Sequence, residues 1–328
     1  MIRQRGFSLI ELMIASTISL MMIAALGAVM VSTRTTQRTT DTLAMLQEDA
    51  RYAFLALTRD VRMAGYTGGY QLDSAPASWP PETTDIANPL HGLDDEHDTI
   101  NLSGRLRGDV LHIVRADTDH AFVLAAPCDV HTGNFTLECQ PSHYPVKDQT
   151  WIAASPYFSA TFKVKSTDPS TGCGTNSPTT LTLVPKAPTT PTTPTTPTDP
   201  IYSTACGFGG DIATPRLYPL IAHSYFVGTN DEGEPALMVR QDDEDTEVVE
   251  GVSDLQILYG IDDDADKSVN RYVRADQVSS ATDPAANWAQ VLAIRVTLTL
   301  TPTNDLDGTL DDRTVSGTIA VRNRLIQP

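Results

Sequence analysis

The apolar positions of this chain follow two patterns in succession. From Phe7 to Val31 the sequence is apolar apart from Glu11 and small hydroxyl residues such as Ser16, Thr17 and Ser19. A run of about 25 residues exceeds the roughly 20 that a helix needs to cross a bilayer. Beyond it the apolar residues become periodic: Leu43, Leu46, Ala50, Phe54, Leu57, Val61 and Ala64 recur at steps of three and four, which leaves Arg38, Asp41, Glu48, Asp49, Arg59 and Asp60 on other faces. The two stretches join into one predicted helix from Phe7 to about Ala64, roughly 85 Å long at 1.5 Å per residue. Gly27 is a point where it can soften, and Gly65, Gly68 and Gly69 end it.

Past Gly69 the period shortens to two. Asp98 to Leu102 and Asp109 to Arg115 are expected to pair as strands across the loop Ser103 to Gly108. Further strands are expected at Ala160 to Lys165, Leu181 to Val184, His223 to Val227, Ala236 to Arg240, Leu255 to Tyr259, Val291 to Leu300 and Val315 to Val321. In Val291 to Leu300 the residues Leu292, Ile294, Val296, Leu298 and Leu300 share one face while Arg295, Thr297 and Thr299 take the other, as in a half-buried antiparallel strand. One long helix followed by many short strands predicts an α+β fold, with an antiparallel sheet packed on the helix.

Between Lys186 and Pro200 the pattern stops altogether, in a run of Thr-Thr-Pro units that favours an extended polyproline II spacer with no core of its own. It separates an upstream β-rich region, 70–185, from a downstream one, 201–328, and leaves open whether these are two domains or one sheet with an insert. Cys128, Cys139, Cys173 and Cys206 flank or precede it, an even number that an oxidising compartment can pair. Chain proximity favours Cys128 with Cys139 and Cys173 with Cys206, the connectivity remaining open.

Charge decides the orientation of the apolar run. Arg3 and Arg5 precede it, so the amino terminus is expected in the cytoplasm, with everything after Arg34 on the other side of a single-pass anchor in the inner membrane. No small-x-small site closes the run, unlike a secretory signal peptide. Glu11 then needs an explanation, because a carboxylate in lipid costs on the order of 3 kcal/mol and usually has a partner. The alternative is that it sits near the membrane surface and reaches water.

The segment Arg5-Gly6-Phe7-Ser8-Leu9-Ile10-Glu11-Leu12 resembles the class III leader of type IV prepilins and pseudopilins: a short basic segment ending in Gly, then Phe, then Glu at the fifth mature position. The resemblance implies cleavage after Gly6 by a prepilin peptidase and N-methylation of Phe7. It also implies that Glu11 meets the amino terminus of a neighbouring subunit during assembly. Three further segments are similar to PilW-type minor pilins: Leu57-Thr58-Arg59-Asp60-Val61-Arg62-Met63-Ala64-Gly65-Tyr66, Glu250-Gly251-Val252-Ser253-Asp254-Leu255-Gln256-Ile257-Leu258-Tyr259-Gly260, and Val321-Arg322-Asn323-Arg324. The expected division is therefore a leader, 1–6, a membrane or filament-core half of the helix, 7–31, an amphipathic half, 32–69, and the exported regions and spacer above. The implied fold is type IV pilin-like. The implied role is a minor pilin in type IV pilus assembly, in a priming or tip complex that supports adhesion, twitching motility or DNA uptake. Its partners would be the major pilin, other minor pilins, the prepilin peptidase and the inner-membrane assembly platform. The alternatives are a minor pseudopilin of a type II secretion system and a pilus-displayed adhesin.

One stretch carries candidate metal chemistry. Asp262, Asp264 and Asp266, with Ser268 and Asn270, set oxygen ligands at alternate positions after an expected strand, and calcium takes six to eight oxygens from loops of this kind. The departures from an EF-hand are Lys267 at loop position six, where that loop has Gly, and Val273 at position twelve, where it has Glu. A solvated acidic turn is the competing reading. The second acidic cluster, Asp242 to Asp245 with Glu247, lacks the alternation and is expected in a surface loop.

A formal net charge of -18 argues against a chain-wide grip on nucleic acid, which is driven by Lys and Arg, and no local basic patch is visible. No G-x-S-x-G, Walker loop or dinucleotide fingerprint occurs, so no enzyme is expected. His91-Gly92-Leu93-Asp94-Asp95-Glu96-His97 matches neither zinc-protease helix motif.

Overall fold

The computed structural model describes residues 8–68, 89–96, 102–123, 134–137, 150–154, 159–167, 179–185, 216–242, 244–278, 288–303 and 310–325. The four cysteines, Gly6, Phe7 and the Thr/Pro spacer lie outside the described residues.

Helix α1 runs from Leu9 to Met63 without a break at Gly27. Its carboxy-terminal half buries Leu46, Ala50, Ala53, Leu57 and Val61, the stripe that steps of three and four predict. It ends where Gly65 adopts φ +71, a left-handed conformation that glycine reaches without a Cβ clash. A side chain there would also come within 2.9 Å of Pro89. The chain then turns onto the sheet: Gly65 N–H donates to the Val114 carbonyl at 2.9 Å, and Ala116 N–H donates to the Tyr66 carbonyl at 2.8 Å.

Two antiparallel sheets follow. The first has the order β1-β2-β8-β5-β6-β7-β4, formed by β1 (Leu90–Leu93), β2 (Arg105–Ala116), β4 (Asn134–Leu137), β5 (Thr150–Ala154), β6 (Ser159–Thr167), β7 (Thr179–Pro185) and β8 (Arg216–Thr229). Short β3 (Phe122–Val123) and the hairpin β9 (Pro235–Gln241) with β10 (Glu244–Glu250) are added on β8. The second sheet has the order β12-β11-β13-β14, from β11 (Val252–Ile261), β12 (Arg271–Val273), β13 (Val291–Leu300) and β14 (Arg313–Ala320). Strand β8 lies downstream of the spacer and pairs with β2 and β5 upstream of it, so the two regions share one sheet.

Three expectations need correction. The loop expected from Ser103 to Gly108 is not a loop throughout: β2 already starts at Arg105 and takes Leu90–Leu93 as an antiparallel neighbour, while Asp98 to Asn101 of the expected partner strand lie outside the described residues. Gly108, at φ +82, sits where the β2–β8 register shifts, so a bulge glycine was legible only as a turn glycine. The acidic cluster near Asp245 is not a loop. Asp242 lies in the turn of the β9–β10 hairpin and Glu244, Asp245 and Glu247 in the first half of β10, exposed, with Arg240 bound to Asp245 at 2.6 and 2.7 Å. The third concerns Asp60, which is buried rather than on a solvent face.

The main core lies where α1 and both sheets meet. It joins Leu57 and Val61 of the helix to Leu111, Ile113 and Val227 of the first sheet and to Leu255, Ile257, Ile294 and Val296 of the second. Leu57 is fully buried there. Leu57→Ala is therefore expected to lower stability by about 2–5 kcal/mol, from lost transfer energy and the cavity left behind, measured by chemical denaturation.

Candidate functional site

The amino-terminal half of α1 is a bare apolar cylinder. From Leu9 to Val31 every residue is exposed, and this is the one described helix long and apolar enough to cross a membrane. Its hydroxyl groups are satisfied within the helix: Ser16 donates to the Met13 carbonyl at 2.9 Å, Thr17 to Ile14 at 2.8 Å and Ser19 to Ala15 at 2.8 Å. Thr33, Thr35, Thr36, Thr39 and Thr40 bond back four residues in the same way. An apolar solvent or a neighbouring helix thus meets no orphaned side-chain donor along these positions.

Glu11 has a local role that its charge alone does not disclose. Its Oε2 accepts the Ser8 backbone N–H at 3.1 Å, one of the donors that an α-helix leaves unpaired at its start. The carboxylate also sits at the positive end of the helix dipole. The spacing Ser8-Leu9-Ile10-Glu11 carries the signal, being that of a capping box.

Where α1 meets the sheet, Asp60 is the hub. It is 3% exposed. Its Oδ1 accepts from Arg115 Nε at 3.1 Å, and its Oδ2 accepts from Tyr225 OH at 2.7 Å and bonds His223 Nδ1. On its other side His223 Nε2 meets Gln241 Oε1 at 2.9 Å. Helix, β2, β8 and β9 are tied through one carboxylate. Burial pushes the Asp60 carboxyl up, but the His223 hydrogen bond, the His223 and Arg115 charges and the Tyr225 hydrogen bond outweigh it and hold it below its ordinary value. Burial pushes His223 down, and the hydrogen bond and charge of Asp60 outweigh this and raise it. Tyr225 is raised by burial and then by the Asp60 charge. The sequence signal for Asp60 is its place three after Leu57 and four before Ala64, on the buried stripe.

A second buried acid, Asp109, joins the two sheets. Its Oδ1 accepts the Asp95 N–H at 2.9 Å and its Oδ2 the Ile257 N–H at 2.7 Å. Burial pushes its carboxyl up to about 7, the Ile257 N–H opposing and the Asp94 and Asp254 charges adding to the rise.

The acidic loop gathers part of the expected ligand set. Oxygens of Asp262, Asp264 and Asp266 lie within 4.8 Å of one another. Ser268 and Asn270 are engaged inside the loop: Ser268 Oγ and N–H donate to Asp266 Oδ1 at 2.5 and 2.8 Å, and Asn270 Oδ1 accepts the Asp263 N–H at 2.7 Å.

The three segments singled out from the sequence converge on the end of α1. Leu57, Val61 and Ala64 share the core with Val252, Leu255, Ile257 and Val321, and Asn323 Nδ2 donates to the Ala64 carbonyl at 3.0 Å. Residues 224–322 match the family model described as Type IV Pilus-assembly protein W. Residues 1–27 match the prokaryotic N-terminal methylation motif. No curated protein and no solved structure matches the chain.

Asp60→Ala leaves the Arg115 guanidinium buried without its counter-charge, and the expected loss is about 3–5 kcal/mol by chemical denaturation. The pH dependence follows from the same groups. Asp60, lowered from 3.8, stabilises above that value and ceases to as pH falls through its folded pKa. His223, raised from 6.5, stabilises fully below that value and ceases to as pH rises through its folded pKa. Asp109 binds its proton more tightly when folded, so stability also falls as pH rises from 3.8 to about 7. Melting temperature is expected to decline as pH rises through neutrality, with Asp109 and, above 6.5, His223 both contributing, and His223→Gln to lessen the decline above 6.5.

Proposed function

Taking the chain as a PilW-type type IV pilin, which its two family matches support, we propose that it is a minor pilin of the priming or tip complex of a type IV pilus. The observation that carries this reading is the division of α1. Its carboxy-terminal half is seated on the sheets, whereas from Leu9 to Val31 it is uncovered and presents, beyond Glu11, only apolar side chains and self-satisfied hydroxyls. Such a half-helix is stable in two surroundings, a bilayer and a bundle of similar helices. A subunit that passes from the first to the second needs both.

In this reading the prepilin peptidase cuts after Gly6, and the new Phe7 amine is methylated. The protein waits in the inner membrane with its amino terminus in the cytoplasm and its two sheets outside. The assembly platform then moves it into the filament beside the major pilin and other minor pilins. Glu11 pairs with the Phe7 ammonium of a neighbour, so that two charges costly in lipid neutralise each other as they leave it. A carboxylate has lone pairs for that ammonium as well as for the Ser8 N–H. The large first sheet and the spacer favour a terminal position over the shaft, where bulk would clash at every repeat. Adhesion, twitching motility or DNA uptake would then depend on the protein indirectly, through the filament that it helps to start.

Glu11→Ala is expected to insert and to be cleaved normally, yet to fall severalfold in sheared filaments relative to membranes, read by immunoblot of both fractions. Unchanged recovery would contradict the pairing. Deletion of the gene is expected to remove surface pili. Loss of secreted enzymes with pili intact would assign the protein to a type II secretion system instead.

A further inference from the structure

We propose that the loop from Asp262 to Asn270 is a calcium site whose protein ligands are the carboxylates of Asp262, Asp264 and Asp266. The loop joins β11 to β12 and is closed at its base, where Asn270 N–H donates to the Ile261 carbonyl at 2.9 Å and Ile261 pairs with Arg271. Within it the three carboxylates bring oxygens to within 4.8 Å of one another. Exposed acids meet in this way on many surfaces, so the cluster by itself decides nothing.

The deciding observation is the state of Asp262. The residue is only 7% exposed. Its Oδ2 accepts the Lys267 N–H at 2.9 Å, but its Oδ1 is buried with no hydrogen-bond partner among the described residues. A buried carboxylate oxygen without a donor is costly, and neighbouring carboxylates make it more so. A cation held between the three groups would supply the missing partner and neutralise the repulsion in one step. The remaining polar groups of the loop hold its shape. Asp263 is turned to Arg271 at 2.7 Å, and its N–H is bound by Asn270 at 2.7 Å.

The backbone agrees at the position where the sequence departs most from an EF-hand. Lys267 occupies loop position six and adopts φ +66, the sharp turn for which that loop uses glycine. Val273 at position twelve is buried in the core and supplies no bidentate carboxylate. Water and main-chain carbonyls would therefore complete the shell, which places the affinity in the weak range of extracellular calcium modules, Kd on the order of 0.1–1 mM. An all-oxygen, carboxylate-rich donor set of adaptable geometry favours calcium over zinc, and over magnesium, which demands a near-ideal octahedron. The proposal is independent of the pilus assignment, since it concerns one loop and one ion.

The test is calorimetry on the full chain in detergent, stripped with chelator and titrated with calcium chloride and, separately, magnesium chloride, alongside a melting curve in each. The expected result is saturable calcium binding with a rise in melting temperature, weakened about tenfold or more in the exposed variant Asp264→Asn and unchanged in Asp263→Asn. Absence of saturable heat up to roughly 10 mM, well above the expected range, would overturn the site. So would an equal response to magnesium, or calcium binding that survives in Asp264→Asn/Asp266→Asn.

Discussion

The buried charge of Asp60 is the constraint on which the rest of the structure turns. Hydrophobic burial is non-directional, so an apolar helix face is held against a sheet only by the fit of its side chains. A carboxylate that must meet Arg115, His223 and Tyr225 together accepts one rotation and one height. Replacing such a cluster by a matched apolar set is often close to neutral in stability, whereas removing one member is not. What the cluster supplies is therefore position: it sets the direction in which the free half of α1 leaves the sheets. That direction is what a filament, or a membrane, must accommodate.

The same helix shows how one element serves two environments. From Leu9 to Arg38 its side chains are exposed, and serines and threonines such as Ser16 and Thr33 fold back on the helix's own carbonyls. Above Leu46 it carries alternate buried and solvated faces and ends in a glycine turn locked to β2 and to Asn323. The segments matching known families sit at these two functional ends, the methylation motif on the free half and the PilW match across β8 to β14. The strands between them in the chain, β1 to β7, fall outside both matches.

Much of this was legible in the sequence, and the reasons for the misses are physical. The α+β architecture, the extent of α1 and the strand Val291–Leu300 follow from periods of 3.6 and two that tertiary structure had no reason to override. Strand β2 was misread because Gly104 and Gly108 look like turn residues, and only the ladder with β8 reveals a bulge. Strand β10 was missed because an edge strand can be acidic: its outer positions need only solubility, and Arg240 satisfies Asp245 across the hairpin. At the candidate site, Gly6, Phe7 and Glu11 were legible as a motif, and the Asp262, Asp264 and Asp266 spacing as a ligand pattern. The partners of Asp60 lie far away in sequence, at 115, 223 and 225, and no local pattern announces them.

The proposed passage of the bare half of α1 from membrane to filament requires prior removal of residues 1–6. The most direct test is the mass of the amino-terminal peptide of this protein, taken from sheared filaments and from membranes of the same cells. A peptide beginning at methylated Phe7 is expected in the filament fraction. An intact Met1 confined to membranes would contradict it and leave a membrane-anchored domain with no part in a filament.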